Sequence, residues 1–578
     1  MTQPDRVPPT ERIRAAYRRI AEVDRPEVWI TLRAEEDLLT EAKQLEQRLA
    51  EGARPPLAGL LLAVKDNIDV AGLPTTAACP SYAYTAAASA TAVRRLTEAG
   101  ALVLGKTNLD QFATGLVGTR SPYGAVRHAT RPDRISGGSS SGSAVAVALG
   151  IADLALGTDT AGSGRVPAAL HGLVGLKPTR GLVPTTGVVP AARSYDCVSV
   201  FAATVQMAQR AVALMTGPDG TDPTARAWPA TTRLAAGPAP VLAVPSPSGL
   251  APLSGAARAA FRAAVARLVE AGAVSREIDI APFLAAAALL YGGALVAERY
   301  AAVGAFLAGR PRDADPTVSG IILAAEALPA YRLAADQARL DRCKMAAAAA
   351  LAGFDALLLP TTVGHPTLAE VAADPVGENS RMGTYTNFVN LLDMAAVAVP
   401  AGTADGSPFG VTVITEAFGD QIGLDLAALL TGERLDTVMP DTGVDLVVFG
   451  AHLRGQPLNG QLTALGARFA GPARTASCYR MVALPGEPPK PGVLRAEAGG
   501  AALPGERWTL SPAALGQFLA ALPPPMSLGA VELADGEHVL GFQCDPVSAG
   551  QGQDITRYGG WLQWLGKHGS GFRDTQLP

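Results

Sequence analysis

The chain has 578 residues, of which 48% are hydrophobic and 17% are charged, as in globular proteins. Its 62 Gly and 45 Pro residues follow no period, which excludes collagen-like and low-complexity proteins, and the apolar content excludes a wholly disordered chain. The formal net charge is −4 and there is no long basic run, whereas nucleic-acid-binding proteins carry a basic patch or stripe, so we expect no nucleic-acid partner.

The N-terminal segment, the apolar runs and the cysteine spacing predict a cytoplasmic location. Residues 1–18 are polar and charged, unlike the apolar core of a signal peptide. The Ala-rich run at 285–296 is too short to span a bilayer. The five cysteines are scattered without a CxxC pair, so the sequence predicts neither a disulfide framework nor a zinc site. We therefore expect a soluble cytoplasmic protein with no membrane partner.

The first three quarters of the chain alternate between short apolar strands and helices. Residues 10–50 show helical spacing, and the elements predicted after them are strands at 60–64, 101–104, 152–156, 241–244 and 356–359, and helices at 90–98, 143–149, 255–271, 283–309 and 330–350. Such alternation predicts an α/β fold, with a mixed β-sheet flanked by helices.

The sequence changes character near residues 438–443. Strands dominate beyond this point, at 445–449, 477–482, 492–496 and 538–542, and Pro-rich segments at 485–491 and 523–525 separate them. We therefore predict two domains: residues 1–440, including the helical N-terminal segment, and a smaller α+β domain of residues 441–578.

A lysine ends the first strongly apolar strand, where residues 61–68 read LLAVKDNI. Lys65 is either a structural cation, paired for example with Asp66, or a desolvated amine. Burial disfavours the ammonium form and lowers the pKa of a lysine, which suits a general base near neutral pH.

Residues 100–107, GALVLGKT, match the GxxxxGK[ST] pattern of nucleotide-binding loops. That pattern requires a flexible loop whose backbone N–H groups surround a phosphate. Here the intervening residues are Ala, Leu, Val and Leu, which predict a buried strand instead. A nucleotide-binding ATPase that uses Lys106 is therefore a rival hypothesis that the sequence disfavours.

Two Gly/Ser loops follow, SGGSSSGS at 136–143 and GTDTAGSGRVP at 157–167. Alone, either loop is more typical of a linker, an anion site or a turn. A serine hydroxyl needs a base to become a nucleophile, and the six histidines offer no plausible Ser-His-Asp arrangement. A Ser–Lys arrangement that includes Lys65 is the natural alternative.

Together, the Lys65 segment and the two loops resemble the amidase signature family over roughly residues 25–430. The resemblance implies a Ser–cis-Ser–Lys triad in which Ser163 is the nucleophile, Ser139 is the bridging residue after a cis peptide bond, and Lys65 is the base. Ser163 follows Ser139 by 24 residues, which is the family spacing. The family pattern also implies an oxyanion hole formed by backbone N–H groups around Thr160, Ala161 and Gly162.

Further segments resemble the allophanate hydrolases within this family, namely PTTAACP at 74–80 and DQFATGLVGTRSPYG at 110–124. In those enzymes a Tyr and an Arg with the spacing of Tyr291 and Arg299 bind the substrate carboxylate. Both residues lie on the helix predicted at 283–309 and can face one cleft. The alternative for Arg299 is a surface ion pair with Glu298 or Glu326, and a structural or a site role for Arg120 remains open.

The tail resembles the C-terminal domain of allophanate hydrolases, which is similar to the gamma-glutamylcyclotransferase fold. The matching segments are VFGAHLRGQPLN at 448–459 and DITRYGGW at 554–561. In the family this domain is implicated in decarboxylating the first product, for which His452 is the candidate residue. A structural role for this histidine, or an assembly role for the whole tail, remains open.

The resemblance implies a hydrolase of linear amide C–N bonds that converts allophanate to ammonia and N-carboxycarbamate, and then to carbon dioxide and ammonia. It implies no metal and no organic cofactor. We expect a homodimer whose substrate comes from a separate urea carboxylase or biuret-producing enzyme. The alternatives are another small-amide amidase, an amidotransferase subunit of the same family, or a catalytically inactive scaffold.

Overall fold

The structure is a computed structural model that describes residues 7–485 and 488–568. Contacts between Cα atoms divide the chain into two compact units. The first comprises the chain up to Ala227 and Ala239–Met439, and the second comprises Trp228–Pro238 and the chain from Pro440. The sequence placed residues 228–238 in the first domain, whereas the contacts group them with the second unit. The predicted division into two domains at residue 440 stays a prediction.

The strands of the first unit are β1 Trp29–Leu32, β2 Leu61–Lys65, β3 Pro74–Thr75, β4 Tyr84–Thr85, β5 Leu102–Thr107, β6 Leu154–Asp159, β7 Val174–Lys177, β8 Cys197–Ala202, β9 Val241–Pro245, β10 Val274–Ile278, β11 Ala356–Pro360, β12 Met394–Ala404 and β13 Ser407–Glu416. All except β3 and β4 form one eleven-stranded mixed sheet, in the order β1-β5-β2-β6-β8-β7-β12-β13-β11-β9-β10. Strands β2, β5 and β6 are buried along their whole length, which explains their near-continuous apolar sequences.

The helices of this unit are α1 Pro9–Val23, α2 Glu35–Ala50, α3 Thr91–Glu98, α4 Ser141–Ala148, α5 Arg165–His171, α6 Val205–Met215, α7 Gly255–Glu270, α8 Ala281–Gly292, α9 Ala297–Ala308, α10 Pro316–Leu323, α11 Ala330–Ala350, α12 Leu368–Ala373, α13 Gly377–Met382, α14 Phe388–Leu391 and α15 Asp420–Thr431. The predicted fold class, a mixed sheet with flanking helices and a smaller second unit, is confirmed.

One edge of the sheet gathers the predicted catalytic residues. Strands β2 and β6 are parallel neighbours, and they end at Lys65 and Asp159. Ser163 lies between β6 and α5, and Ser139 lies two residues before α4. Ligands of open α/β sheets bind at the carboxyl ends of parallel strands, so this edge is where a site is expected.

The prediction of one continuous helix at 283–309 is wrong, because the helix is interrupted at Gly293. Helices α8 and α9 are bent by 48° relative to each other. Gly293 is extended (φ −114°, ψ −172°), and a short 3-10 helix, Ala294–Val296, follows it. The Asp336 carboxylate on α11 accepts the Ala294 N–H at 2.7 Å, which satisfies a backbone donor freed by the break.

A strand was also missed near the N-terminus, where residues 10–50 were expected to be helical. β1 separates α1 from α2 and pairs antiparallel with β5. It has only four residues, of which Trp29 is buried while the others are half-buried. So short a strand provides too few residues for an alternating pattern to stand out from flanking helical sequence.

The second unit contains β14 Val444–Val448, β15 Arg468–Arg474, β16 Tyr479–Leu484, β17 Lys490–Arg495, β18 Pro504–Leu510, β19 Met526–Glu532, β20 His538–Cys544 and β21 Gln553–Asp554, with α16 Asn459–Ala464, α17 Pro512–Ala520, α18 Pro546–Gln551 and α19 Trp561–His568. Its sheets have the orders β15-β18-β14-β20-β19 and β17-β16-β21. Residues 486 and 487 of the predicted Pro-rich segment lie outside the described residues.

Among the described residues, no single helix is both long and apolar enough to cross a membrane. Two bent helix pairs reach the necessary length and composition only when they are joined across angles of 48° and 104°.

Candidate active site

The Lys65 side chain is completely buried at the end of β2. Its Nζ lies 2.8 Å from Ser139 Oγ and 2.7 Å from Thr158 Oγ1. Burial lowers the pKa of Lys65 to about 7, although nearby carboxylates, of which Asp110 has the largest influence, oppose the shift. A large fraction of this amine is therefore neutral near pH 7 and able to accept a proton.

The suggested pairing of Lys65 with Asp66 is wrong, because Asp66 pairs with Lys106 at 3.2 Å. Successive side chains of an extended chain point to opposite faces, which separates residues 65 and 66. Lys106 is itself buried on β5, where its Nζ also donates to Thr75 Oγ1 at 2.9 Å and to the Pro74 carbonyl at 3.0 Å. The expectation of a buried strand, rather than a phosphate-binding loop, is confirmed at residues 102–107.

The loop that carries Ser139 contacts the buried Asp110, whose backbone N–H donates to the Ser139 carbonyl at 3.1 Å. The Gly138–Ser139 peptide bond is cis. The Asp110 carboxylate accepts backbone N–H groups from Val117 at 3.2 Å and from Gly118 at 3.0 Å. A Cβ at Gly138 would collide with Asp110 Oδ2, so this close approach requires glycine.

The loop that carries Ser163 is held by a buried ion pair between Asp159 and Arg165, at 2.8 Å. Burial alone would raise the pKa of the Asp159 carboxyl, but the Arg165 guanidinium and backbone N–H donors hold this pKa below its ordinary value. The carboxylate accepts the N–H of Gly162 at 2.9 Å and that of Gly164 at 3.0 Å. It therefore stays ionised and fixes the path of the loop on both sides of Ser163.

The Ser163 hydroxyl donates to the Gly115 carbonyl at 3.5 Å, and no hydrogen bond joins it to Ser139 within the part of the chain that the structure describes. Two of the three residues predicted to form the oxyanion hole already make hydrogen bonds to carboxylates. The Gly162 N–H is already engaged by Asp159, and the Thr160 side chain donates to Asp196. The roles predicted for Lys65, Ser139, Ser163 and the oxyanion donors stay predictions.

Tyr291 on α8 and Arg299 on α9 meet across the break in the predicted helix. Arg299 is 1% exposed, and its Nη2 donates to the Tyr291 hydroxyl at 2.9 Å. Its Nη1 donates to Thr114 Oγ1 at 2.8 Å, one residue before the Gly115 carbonyl that contacts Ser163. The alternative of a surface ion pair for Arg299 is therefore wrong.

Arg120 holds the loop at 110–124 together. Its Nη1 donates to the Thr114 carbonyl at 3.0 Å and its Nη2 to the Pro375 carbonyl at 2.6 Å, while its backbone N–H donates to Asp110 at 3.0 Å. These contacts favour the structural role that the sequence left open. Thr158 and Thr114 were missed as site residues, because their contacts join segments distant in sequence.

His452 lies in the second unit beside a cavity of about 550 Å³. Its ring stacks on Phe542 with 4.9 Å between centroids, and its Nε2 donates to Gln461 Oε1 at 2.9 Å. Burial lowers the pKa of His452, so the ring is neutral near pH 7. Lys490 and Phe518 also line the cavity, so that the lining described by the structure combines apolar side chains with the Lys490 cation.

Comparison with known proteins agrees with this layout. The amidase family profile matches residues 11–424. The chain belongs to the amidase family. This amidase is therefore a hydrolase that acts on amide C–N bonds. A second profile, the allophanate hydrolase C-terminal domain, matches residues 444–566.

Individual relatives match between 72% and 97% of the chain. A urea amidolyase of Lachancea kluyveri is 43% identical over 93% of this chain, but the match covers only 31% of that relative's length. A glutamyl-tRNA(Gln) amidotransferase subunit of Symbiobacterium thermophilum is 35% identical over 72% of this chain and 91% of its own. The structure of Kluyveromyces lactis allophanate hydrolase superposes with a TM-score of 0.87, at 40% identity over 97% of both chains.

Proposed function

We propose that the amidase hydrolyses allophanate to ammonia and N-carboxycarbamate. The observation that carries the proposal is the buried Arg299 guanidinium, joined to the surroundings of Ser163 through Thr114 and Gly115. Allophanate has a carboxamide at one end and a carboxylate at the other, and a guanidinium matches a carboxylate through paired hydrogen bonds. The similarity to allophanate hydrolase supports the same substrate.

In the proposed mechanism, neutral Lys65 accepts a proton from Ser139 as Ser139 accepts one from Ser163. The Ser163 oxygen then attacks the carboxamide carbon, and ammonia leaves with a proton returned along the same path. Water cleaves the acyl-enzyme, which releases N-carboxycarbamate and restores the Ser163 hydroxyl. The 2.8 Å contact between Lys65 and Ser139 supports the first transfer.

Charge on the tetrahedral intermediate requires backbone donors near the nucleophile. We propose that the N–H groups of Thr160 and Ala161 supply this stabilisation. The Gly162 N–H now donates to the Asp159 carboxylate at 2.9 Å. In the proposed intermediate this N–H is shared between that carboxylate and the oxyanion. Removing one donor of such a hole typically costs about 3 kcal/mol of transition-state stabilisation.

We further propose that the cavity beside His452 assists the loss of carbon dioxide from N-carboxycarbamate. The carboxylate groups of this dianion suit Lys490, and the apolar walls favour cleavage to neutral carbon dioxide. The match of residues 444–566 to the allophanate hydrolase C-terminal domain supports this assignment. The proposed supplier of allophanate is a urea carboxylase or a biuret-producing enzyme, whereas the expected homodimer and cytoplasmic location stay predictions.

Ammonia release from allophanate, biuret, malonamate and glutamine, measured side by side, tests the proposed function. Allophanate should have the highest kcat/KM. Malonamate carries the same two end groups on a CH₂ spacer, and it should be the next best substrate because it preserves the contact with Arg299. A preference for glutamine or for neutral biuret would favour an amidotransferase subunit or another small-amide amidase.

A further inference from the structure

Three of the six histidines of the chain meet in the first unit. The rings of His128 and His171 stack at 4.2 Å between centroids with an interplanar angle of 13°. The ring of His365 packs against His128 at 5.0 Å and 60°. None of these rings has a role in the mechanism above, yet each comes from a different segment of the chain.

The hydrogen bonds of His128 fix a single neutral form of its ring. Its Nε2 donates to the Leu170 carbonyl at 2.8 Å. Its Nδ1 accepts the N–H groups of Thr130 at 3.2 Å and Arg131 at 3.1 Å, so it is an acceptor without a proton. A proton on Nδ1 would face two N–H donors and break both hydrogen bonds.

His171 is held in the same way. Its Nδ1 donates to the Pro167 carbonyl at 2.9 Å, and its Nε2 accepts the Ala129 N–H at 3.3 Å. His365 donates from Nε2 to the Ile135 carbonyl at 2.8 Å. Its Nδ1 is buried without a hydrogen-bond partner among the residues that the structure describes. Nδ1 of His365 can therefore take up a proton first, and the resulting buried imidazolium faces the ring of His128 and the cations Arg134 and Arg131, which disfavours the packed arrangement.

The three rings connect the two loops that carry the proposed nucleophile and bridging serine. Leu170 and Pro167 belong to α5, which begins two residues after Ser163. Ile135 lies four residues before Ser139 on the other loop. The three packed rings therefore link the helix that follows one serine to the segment that precedes the other.

The charges around the cluster are mainly positive. Arg25 Nη1 donates to the His128 carbonyl at 3.4 Å, and Arg25 itself pairs with Glu27 at 2.7 Å. The other charged groups that act on the rings are Arg131, Arg134 and Asp133. His365 also borders a cavity of about 280 Å³ whose charged lining residues are Arg134, Arg381, Glu370, Glu378 and Asp405. This cavity gives protons a route to the cluster.

We propose that His128, His171 and His365 are positioning residues that hold the Ser139 loop and helix α5, which follows Ser163, together while all three rings are neutral. Proton uptake at acidic pH breaks this connection and inactivates the amidase. The proposal rests on the roles proposed for Ser139 and Ser163. It makes the acid limb of the pH profile depend on more than the ionisation of Lys65.

The direction of the pH effect follows from burial. Burial lowers the pKa of all three rings, that of His365 to about 4. Proton uptake therefore favours the state in which the connection between the Ser139 loop and α5 is broken. In that state the histidines have ordinary pKa values near 6.5. The stability that the neutral rings contribute is present above this value and is lost as the pH falls from it toward 4.

The first test measures how fast a fluorophosphonate labels Ser163 in the full-length protein between about pH 8 and pH 4. Ionisation of Lys65 alone gives a slope of about 1 for log rate against pH on the acid side. The wild type should be steeper, with a slope of about 2. His365→Asn, which keeps a donor for Ile135, should return the slope to about 1. His538→Asn, at an exposed histidine of the second unit, should keep the wild-type slope.

The second test is hydrogen–deuterium exchange of peptides from 136–148 and 163–171, corrected for the intrinsic effect of pH. Exchange should increase in the wild type at about pH 5 and increase less in His365→Asn. Equal pH dependence of exchange in the two proteins, or labelling slopes that do not differ, would overturn the proposed cluster role. Failure to label Ser163 at any pH would instead contradict the proposed nucleophile, and the exchange data would still decide the cluster.

Discussion

The proposed chemistry depends, at the scale of single residues, on the protonation state of Lys65. Complete burial lowers its pKa to about 7, and its contacts are hydroxyl and carbonyl oxygens rather than a carboxylate. As the pH falls below 7, the amine takes up a proton and can no longer accept one from Ser139. We therefore expect the acid limb of kcat/KM to begin near pH 7, whereas an exposed lysine would place it near 10.5.

The variant Lys65→Met should separate activity from stability. The unfolded lysine binds a proton below its ordinary pKa of 10.5, so the lowered native pKa destabilises the fold at neutral pH. One pKa unit corresponds to about 1.4 kcal/mol, and the lost hydrogen bonds offset part of the gain at about 1 kcal/mol each. We expect an inactive protein whose free energy of unfolding is at least that of the wild type, measured with denaturant at pH 7. A clearly less stable variant would show that Lys65 is a stabilising structural cation.

The variant Arg299→Lys should impair anionic substrates selectively. Lysine keeps the charge but cannot donate in the planar geometry that now reaches both Tyr291 and Thr114. We expect kcat/KM for allophanate to fall about 100-fold and that for a neutral amide of similar size to fall less than about threefold. Equal losses on the two substrates would mean that Arg299 only supports the fold.

The roles proposed for the catalytic residues came from the resemblance of two short Gly/Ser loops and one apolar strand with a single lysine to the amidase signature family, and they stay predictions. Their partners were not predictable in the same way. Asp110 contacts the Ser139 loop, and Thr158 contacts Lys65, only because the sheet brings distant segments together. Asp66 was assigned to the wrong lysine, since adjacent side chains of an extended chain point to opposite faces and its true partner, Lys106, lies on another strand.

At the scale of elements, the break between α8 and α9 brings Tyr291 and Arg299 together. Their 2.9 Å hydrogen bond forms between two helices rather than along one. The Ala- and Leu-rich sequence around the break has high helix propensity, so the pattern favoured one continuous helix. The Gly292–Gly293 pair was the one local signal, and the decisive contact comes from Asp336, more than 40 residues away in sequence.

The variant Gly293→Ala tests this role of the break. A Cβ at position 293 would lie 2.8 Å from Asp336 Oδ2 and 2.9 Å from the Leu289 carbonyl. We expect the KM for allophanate to rise about tenfold and stability to fall by about 1–2 kcal/mol, as shown by kinetics and denaturant unfolding. Gly292→Ala is the matched control, because a Cβ there meets no atom within 4 Å. Equal KM values for the two variants would contradict the role of the break.

At the scale of the whole molecule, the second unit is not a simple tail. Residues 228–238 are inserted in the first part of the sequence, but the Leu234 N–H donates to the Gly466 carbonyl at 3.0 Å within the second unit. The composition shift near residue 440 could not reveal this segment, because a short inserted stretch has no pattern of its own. A truncation at residue 440 would leave it without its partners, so full-length variants are the better tools.

The full-length variant His452→Asn tests the proposed second reaction. The first release of ammonia should stay within about twofold of the wild type, because the residues proposed for that step belong to the first unit. N-carboxycarbamate should persist longer, as followed by carbon-13 NMR of labelled allophanate. The variant Gln461→Asn keeps an uncharged amide acceptor on the side of the His452 ring, adds no charge to the cavity, and should lengthen the lifetime less. An unchanged lifetime in His452→Asn would leave this histidine with a structural role.

The most direct test of the central claim is the rate of ammonia release from allophanate by Ser163→Ala. The substitution removes one hydroxyl whose hydrogen bond is a weak 3.5 Å contact with Gly115, so the fold should survive, as circular dichroism can verify. The account predicts a rate at least about 1000-fold below that of the wild type, because no other group forms the acyl-enzyme. A folded variant that retained more than about a tenth of the wild-type rate would show that Ser163 is not the nucleophile.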